Sequence, residues 1–194
     1  TGSSGFLGSH VADKLSDKGY QVTLFDTKKS IYKRDDQEEI VGDILNYQEL
    51  MNALESCEFI FHFAAQADIG ESNTNPVKTI QNNIFGTQNI LECLKDSGST
   101  KRLIFASTIY VYRALGSFYR VSKQACEKII EEYNKQFGIE YTILRYGSLY
   151  GPRANEFNFI NDMLKQAVEN KKIIRKGNGD EIREYIHVDD AAEL

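Results

Sequence analysis

The sequence predicts an α/β fold, a doubly wound parallel sheet with helices over both faces. Strand-like and helix-like stretches alternate from Tyr20 to Arg145, the β-α-β succession of a parallel sheet. The chain also opens on Thr1-Gly2-Ser3-Ser4-Gly5-Phe6-Leu7-Gly8, three glycines at intervals of three, directly before a helical pattern. Such a turn presents bare backbone N–H groups at a helix N-terminus, where the helix dipole favours negative charge such as a pyrophosphate. Glycine is required there because a Cβ would collide with the ligand or the packed strand. The spacing is G-x-x-G-x-x-G rather than G-x-G-x-x-G, and taken alone a glycine-rich turn fits an ordinary turn as well. A βα turn of this kind follows a central strand, so a strand of roughly 5–10 residues is expected upstream of Thr1.

The elements follow in order. Ser9–Lys18 reads as a helix closed by Gly19, and Tyr20–Phe25 as a strand ending at Asp26. After a charged loop come a short strand at Glu39–Val41, a helix at Asn46–Leu54 and a buried strand at Glu58–Phe63. Pro76 stands near the start of a long helix running towards Ser97, and Lys101–Ser107 is β-like. Tyr119–Phe137 is a helix stopped by Gly138, with Ala125, Ile129, Tyr133 and Cys126, Ile130, Phe137 as its apolar stripe. Ile139–Arg145 is the next strand. Beyond Gly151 the alternation loosens into a helix at Asn161–Asn170, a turn at Gly177-Asn178-Gly179 and the start of a helix at the C-terminus, so both ends read as cut. Residues 1–150 are therefore expected to form one nucleotide-binding domain. Residues 151–194 are expected to begin a smaller substrate-facing lobe, interleaved with the last elements of that domain.

Bulk properties narrow the function. A chain of 194 residues buries one substantial core. The net charge of −5 and the lack of a basic patch argue against nucleic acid. No apolar run approaches the roughly 18–20 residues of a membrane span, and no signal-peptide pattern is present. Cys57, Cys93 and Cys126 are widely spaced, with no Cys-x-x-Cys pair. They fit reduced, packing thiols in a cytoplasmic protein, and no metal site is expected.

Four residues carry chemistry. Asp26 ends the second strand, 24 residues after Gly2. A carboxylate there accepts both hydroxyls of an adenosine ribose and repels a 2′-phosphate, favouring NAD over NADP. Lys28 and Lys29 lie close enough to compensate such a phosphate, and a strand-end Asp also caps turns. Tyr119 and Lys123 are four apart on a patterned helix and share one face. Lowering a phenol to about pKa 7 takes roughly 4 kcal/mol. An ammonium and a cationic nicotinamide ring in a dry site are able to supply that. Thr108, just past the strand ending at Ser107, offers a hydroxyl to a substrate oxygen.

Taken together, these residues stand in the order of the short-chain dehydrogenase/reductase superfamily. The chain resembles its extended branch, the NAD-dependent nucleotide-sugar epimerases and dehydratases, and the resemblance runs over nearly its whole length. Gly42-Asp43-Ile44 resembles the loop that holds adenine, and Phe61-His62-Phe63-Ala64-Ala65-Gln66 the strand that lines the cofactor. Gly70-Glu71-Ser72 resembles the segment after it, and Asn83-x-x-Gly86-Thr87 the Asn of the central helix. Tyr150-Gly151-Pro152-Arg153 and Arg183-Glu184-Tyr185-Ile186-His187-Val188-Asp189-Asp190 resemble substrate-side motifs.

The resemblance implies a Rossmann fold with NAD held by Gly2, Ser4, Gly5, Phe6, Leu7, Gly8, Asp26, Asp43, Ile44, Phe63, Ala64, Ala65, Asn83, Ser107, Tyr119, Lys123 and Tyr146. It implies a nucleotide sugar met by Gln66, Ser72, Ser148, Arg153 and Arg183, the last binding the diphosphate or else forming a surface ion pair. Tyr119 as phenolate would take the proton of a sugar hydroxyl, typically at C4, while hydride passes to NAD. Lys123 would hold the nicotinamide ribose, and Thr108, or in its place Ser107, would bind the sugar oxygen. In an epimerase the hydride returns to the other face. The resemblance also implies a homodimer through the helices at Val77–Ser97 and Tyr119–Phe137. Cys93, Leu94, Ile129 and Tyr133 suit that contact, or equally the core.

Some residues depart from the family pattern. Ile109-Tyr110 follows Thr108 where 4,6-dehydratases resemble Thr-Asp-Glu, which disfavours water elimination. Gly147-Ser148-Leu149 replaces the usual Asn before Tyr-Gly-Pro, and Arg113 replaces the Gly after Val111-Tyr112. Only eleven residues separate Ser107 from Tyr119, so a substrate-contacting loop is either deleted or omitted, and the absent first strand favours omission. The expected activity is thus epimerisation of a nucleotide sugar. The alternatives are a reductase, dehydrogenase or dehydratase on the same scaffold, and a cofactor-binding protein with an inactive site.

Overall fold

A computed structural model of the protein describes residues 1–97, 102–174, 178, 180 and 182–194. The turn expected at Gly177-Asn178-Gly179 and the start of the strand at Lys101 lie outside the described residues.

Helix α1 spans Phe6–Asp17, three residues earlier than its periodicity suggests, because Gly5 is its N-cap and the glycine turn is already wound into it. It leads into β1 (Val22–Asp26), β2 (Gln37–Val41) and α2 (Tyr47–Leu54). Asn46 caps α2, its side chain accepting from the Glu49 N–H. Strand β3 is Phe59–His62. It is followed by α3 (Ile69–Thr74), capped by Asp68, and α4 (Pro76–Ile80), with Pro76 in its first turn. The long helix expected from Pro76 is interrupted by a π-helical turn at Gln81–Phe85 before α5 (Gly86–Ser97). Next come β4 (Arg102–Thr108), a 3₁₀ turn at Ile109–Tyr112 and α6 (Ser117–Phe137). Gly138 ends α6 in the left-handed conformation. Strand β5 (Tyr141–Tyr146) precedes two elements the sequence does not announce, β6 (Ser148–Tyr150) and β7 (Tyr185–His187). Helices α7 (Phe159–Asn170) and α8 (Val188–Glu193) complete the described chain.

Every strand pairing is parallel: β1 with β2, β3 with β4, β4 with β5, and β6 with β7. Thr1 and Gly2 lie between β1 and β3 and bond to both. The Thr1 amine donates to Phe61 O at 2.7 Å, Phe63 N to Thr1 O, and Gly2 N to Phe25 O, each at 3.0 Å. Strand residues alternate between faces. Phe25, Leu103 and Phe105 join α2, α5 and α6 in the main core with Leu50, Ile90, Leu91, Cys93, Cys126 and Ile130. Leu24 and Ile104 are buried outside that cluster, as are Phe6, Val11 and Ala12 of α1. Helix α1 packs against β1 and α8. Burial on both faces is the signature of a doubly wound sheet.

Two packing expectations change. Phe137 is more than half exposed, because the buried stripe of α6 runs through Ser122, Lys123, Cys126, Glu127 and Ile130. Cys93 and Leu94 are buried and, with Ile129 and Tyr133, pack on the core. Of the two placements open for these residues, the core is the one they occupy.

Gly8 is where packing most tightly restricts side-chain size. A Cβ there would stand 2.2 Å from Gly2 O and 3.1 Å from Ser3 Cα, so the helix cannot settle on the turn with any side chain. Ala normally stabilises a helix interior relative to Gly by about 0.5–1 kcal/mol. Gly8→Ala is expected to destabilise the protein instead, by about 1–3 kcal/mol in denaturant unfolding. A stabilised variant would contradict this packing.

Candidate active site

The strands bring the expected residues to their C-terminal ends. At the glycine turn, Gly2 has φ +71° and its Cβ would fall 2.4 Å from Ala64 N, so the turn lies directly on the Phe63-Ala64-Ala65 segment beyond β3. No side chain caps α1 and its first turn carries no acidic residue, which leaves the helix N-terminus suited to an anion. The buried Ser3 hydroxyl in this turn has no partner among the described residues. Asp26 Oδ2 accepts from Ser4 N at 2.9 Å, tying the end of β1 to the turn, while Ser4 Oγ donates to Lys28 O. Asp43 is exposed, its Oδ1 accepting from Leu45 N at 2.9 Å. Ile44 is buried against Gly86, whose Cβ would stand 2.3 Å from Ile44 Cδ1.

Asn83, in the π turn, has a fully committed amide. Its Oδ1 accepts from Gln66 N at 2.7 Å, and its Nδ2 donates to Gln66 O at 3.1 Å and Ser122 Oγ at 2.8 Å. Asn83 therefore fastens the loop after β3 to α6. π turns concentrate at functional sites, and here the wider turn coincides with the residue whose side chain reaches both neighbours.

The centre itself is formed by β4 and α6. Thr108 is buried, its hydroxyl accepts from Tyr110 N at 3.3 Å, and it lies near enough to the Tyr119 phenol to favour its ionised form. Lys123 is only 3% exposed; its Nζ donates to Ala106 O at 2.7 Å and stands 4.5 Å from the centroid of the Phe105 ring. Desolvation pushes the half-buried Tyr119 up to about 12, with nearby Thr108 working in the opposite direction. Burial also pushes Lys123 down to about 8, against the Cys126 and Glu127 side chains. The lowered phenol expected from Lys123 is thus not produced by the chain alone. Desolvation favours the neutral form of each group.

Behind this centre lies a feature the sequence analysis did not single out. Ser107 Oγ donates to Glu127 Oε1, and Arg145 clasps the same carboxylate through Nε at 3.0 Å and Nη2 at 2.8 Å. Burial works to raise the Glu127 carboxyl, but the bonds from Arg145 and Ser107 prevail and hold it below the usual range. Because Ser107 gives its proton to Glu127, Thr108 is the hydroxyl left for a substrate. The signal was present: Glu127 is four residues after Lys123, a charge on the stripe that turns inward.

The remaining expected residues make contacts of their own. Ser72 is fully buried and donates to Asp68 O. Tyr146 pairs with Thr108 across β4 and β5 and directs its hydroxyl to Ala191 O. Ser148 N bonds Glu184 O. Arg153 pairs with Asp13 of α1 at 2.8 Å and stacks over Tyr32. Exposed Arg183 lies over Phe159. Apart from that strand pairing, none of these contacts involves Thr108, Tyr119 or Lys123. Among the described residues, open depressions lie beside Asp43 and between Tyr150, Ile160, Leu164 and His187, and neither is lined by those three residues.

A profile of the NAD dependent epimerase/dehydratase family matches residues 1–194. The chain belongs to that family. UDP-glucuronate 4-epimerase of Thermodesulfobacterium geofontis is 30% identical over 220 aligned positions, covering 99% of this chain and 68% of the relative. That alignment exceeds the chain's own length, so the relative carries segments this chain lacks. UDP-glucuronic acid decarboxylase 1 of Xenopus tropicalis is 29% identical, covering 98% of this chain and 50% of that protein. The crystal structure of Thermus thermophilus UDP-glucose 4-epimerase in complex with NAD superposes with a TM-score of 0.87 at 30% identity, covering 99% of this chain and 70% of that one. Family members thus share the NAD-dependent scaffold while differing in the reaction each carries out on its sugar. The described residues include no helix long and apolar enough to cross a membrane.

The low value of Lys123 makes stability depend on pH. Between about 8 and the ordinary 10.5, the unfolded chain keeps a proton that the folded chain has released. Stability from this group therefore rises with pH across that window and its penalty is complete below it. Lys123→Met is expected to be more stable than the native protein below pH 8, by up to about 3 kcal/mol. The gap should close as pH rises, in urea unfolding at several pH values. A gap independent of pH would contradict the burial of a charged Lys123.

Proposed function

We propose that this chain is the cofactor-binding part of an NAD-dependent epimerase acting on a nucleotide-activated sugar, with inversion typically at C4. The observation that carries the reading is that buried Thr108 and buried Lys123 are both gathered at Tyr119, with Ile109-Tyr110-Val111-Tyr112 following Thr108. That segment supplies a hydroxyl and a phenol for one proton transfer and no carboxylate pair for eliminating water.

The fit to NAD rests on the glycine cradle, where a Cβ at Gly2 or Gly8 would meet backbone, and on the uncapped α1. Gly2, Ser4, Gly5, Phe6, Leu7 and Gly8 would hold the diphosphate and Asp26 the adenosine ribose. Asp43 and Ile44 would hold the adenine side, Phe63-Ala64-Ala65 the wall, and Lys123 the nicotinamide ribose. When bound, NAD supplies a reversible hydride acceptor and a positive charge. Thr108 donates to the sugar oxygen, and Tyr119 removes or returns the proton on that oxygen. Lys123, itself buried, keeps a positive charge one helical turn from the phenol. Gln66, Ser148, Arg153 and Arg183 are assigned to the nucleotide sugar by family pattern. The region from residue 151 would begin the substrate lobe, with α8 returning to α1.

A cytoplasmic homodimer accompanies this reading. Exposed Val77, Ile80 and Phe85, together with Phe118 and Val121 of α6, support helix pairing between two copies.

NMR of a nucleotide-sugar panel incubated with the protein and NAD is expected to reveal one epimer pair with no net NADH. Tyr119→Phe should cut turnover by at least about 100-fold. Stoichiometric NADH or loss of carbon dioxide would replace epimerase by dehydrogenase or decarboxylase. Undiminished turnover in Tyr119→Phe would refute the assignment of the base.

A further inference from the structure

Glu127 lies two helical turns beyond Tyr119 and one beyond Lys123, on the face of α6 turned towards β4. Its side chain is 6% exposed, while that of Arg145 is 36% exposed. A buried carboxylate without a partner is strongly unfavourable, and this one uses both oxygens. Arg145 meets it with two bonds, a bidentate grip that fixes direction as well as distance.

The grip bears on the reaction centre through β4. Ser107 and Arg145 are register partners across β4 and β5, and both reach Glu127. Two adjacent residues of β4 are thereby fastened to α6: Ala106 by its carbonyl to Lys123, and Ser107 by its hydroxyl to Glu127. Thr108 is the next residue. On its far side Arg145 also bonds the Tyr112 hydroxyl and stacks on that ring, 4.8 Å from its centroid. The Glu127–Arg145 pair therefore holds the chain both before Thr108 and at the end of the 3₁₀ turn after it.

We propose that Glu127 and Arg145 are positioning residues, which act through Ser107 and Tyr112 to set Thr108 in place against Tyr119. The proposal deepens the functional reading above and rests on its assignment of Thr108 and Tyr119. The charged and titratable groups around Glu127 are Lys123 and Lys128 on α6, Arg145 on β5 and Tyr112 on the 3₁₀ turn. Cys126 on α6 and His62 on β3 face Lys123.

The test reads the surroundings of the Tyr119 phenol directly. In protein labelled with ¹³C at tyrosine Cζ, the Tyr119 resonance is identified by its loss in Tyr119→Phe. Thr108→Val is expected to move it. Glu127→Gln and Arg145→Lys are expected to move it in the same direction at neutral pH, with native-like melting. Glu127→Gln combined with Thr108→Val should move it no further than Thr108→Val alone. If Glu127→Gln does not fold, Arg145→Lys and Arg145→Gln carry the same expectation, since Arg145 is partly exposed. On a sugar that the protein epimerises, Glu127→Gln should lower kcat by about 100-fold, with KM changed less than about threefold. A resonance left at its native position in folded variants would overturn the positioning role. Absence of turnover on every nucleotide sugar would overturn the functional reading, and the resonance would still decide the role of Glu127.

Discussion

The ammonium of Lys123, closed in against the ring of Phe105 and bonded to the carbonyl of Ala106, is the charge around which the rest of the site is built. An ammonium with one backbone partner is held in its ionised form only weakly, and burial lowers it to about 8. The same enclosure drives the neighbouring phenol of Tyr119 up to about 12. The two groups an acid–base centre needs in ionised form are thus both pushed towards neutrality by the protein that positions them. The geometry is assembled in advance, and an added positive charge beside the phenol completes the electrostatics.

That division of labour accounts for the surrounding architecture. Lys123 and Glu127 stitch two consecutive residues of β4 to α6. Arg145 brings β5 to the same carboxylate, and Asn83 fastens the loop after β3 to Ser122 of α6. Helix α6 is therefore bonded through side chains to three segments at once, so Tyr119 moves only if the sheet edge moves with it. On the other side of the sheet, α1 is joined to the C-terminal region. His10 contacts Asp189 and Pro152 O at 3.0 Å each, and Arg153 binds Asp13. These contacts tie the glycine turn to the segments after β5.

Much of this was legible in the residues. The alternation of elements, the glycine turn and its carboxylate at Asp26 are local signals, set by backbone sterics and strand length. The four-residue spacing of Tyr119 and Lys123 likewise reads directly as a shared helix face. What escaped were properties that depend on partners distant in sequence. The π turn at Gln81–Phe85 inserts one residue into an otherwise regular pattern. Strands β6 and β7 have three residues each and exist through pairing 37 residues apart, Ser148 with Tyr185. Glu127 reads as a surface charge until Ser107 and Arg145 are brought to it. The sequence favours Thr108 over Ser107 as the substrate hydroxyl without giving a reason, and the bond from Ser107 to Glu127 supplies one. The rise of the Tyr119 phenol in the unliganded chain also escaped, because desolvation scales with enclosure, which spacing alone does not reveal.

Ultraviolet titration of the phenol tests the central claim most directly, as the absorbance difference between the native protein and Tyr119→Phe across pH, with and without NAD. The account predicts that Tyr119 stays un-ionised in the unliganded protein until the pH approaches about 12, and that saturating NAD brings its ionisation down. A phenolate already present near neutral pH without NAD would contradict it, since the chain alone would then supply the charge attributed to the bound cofactor.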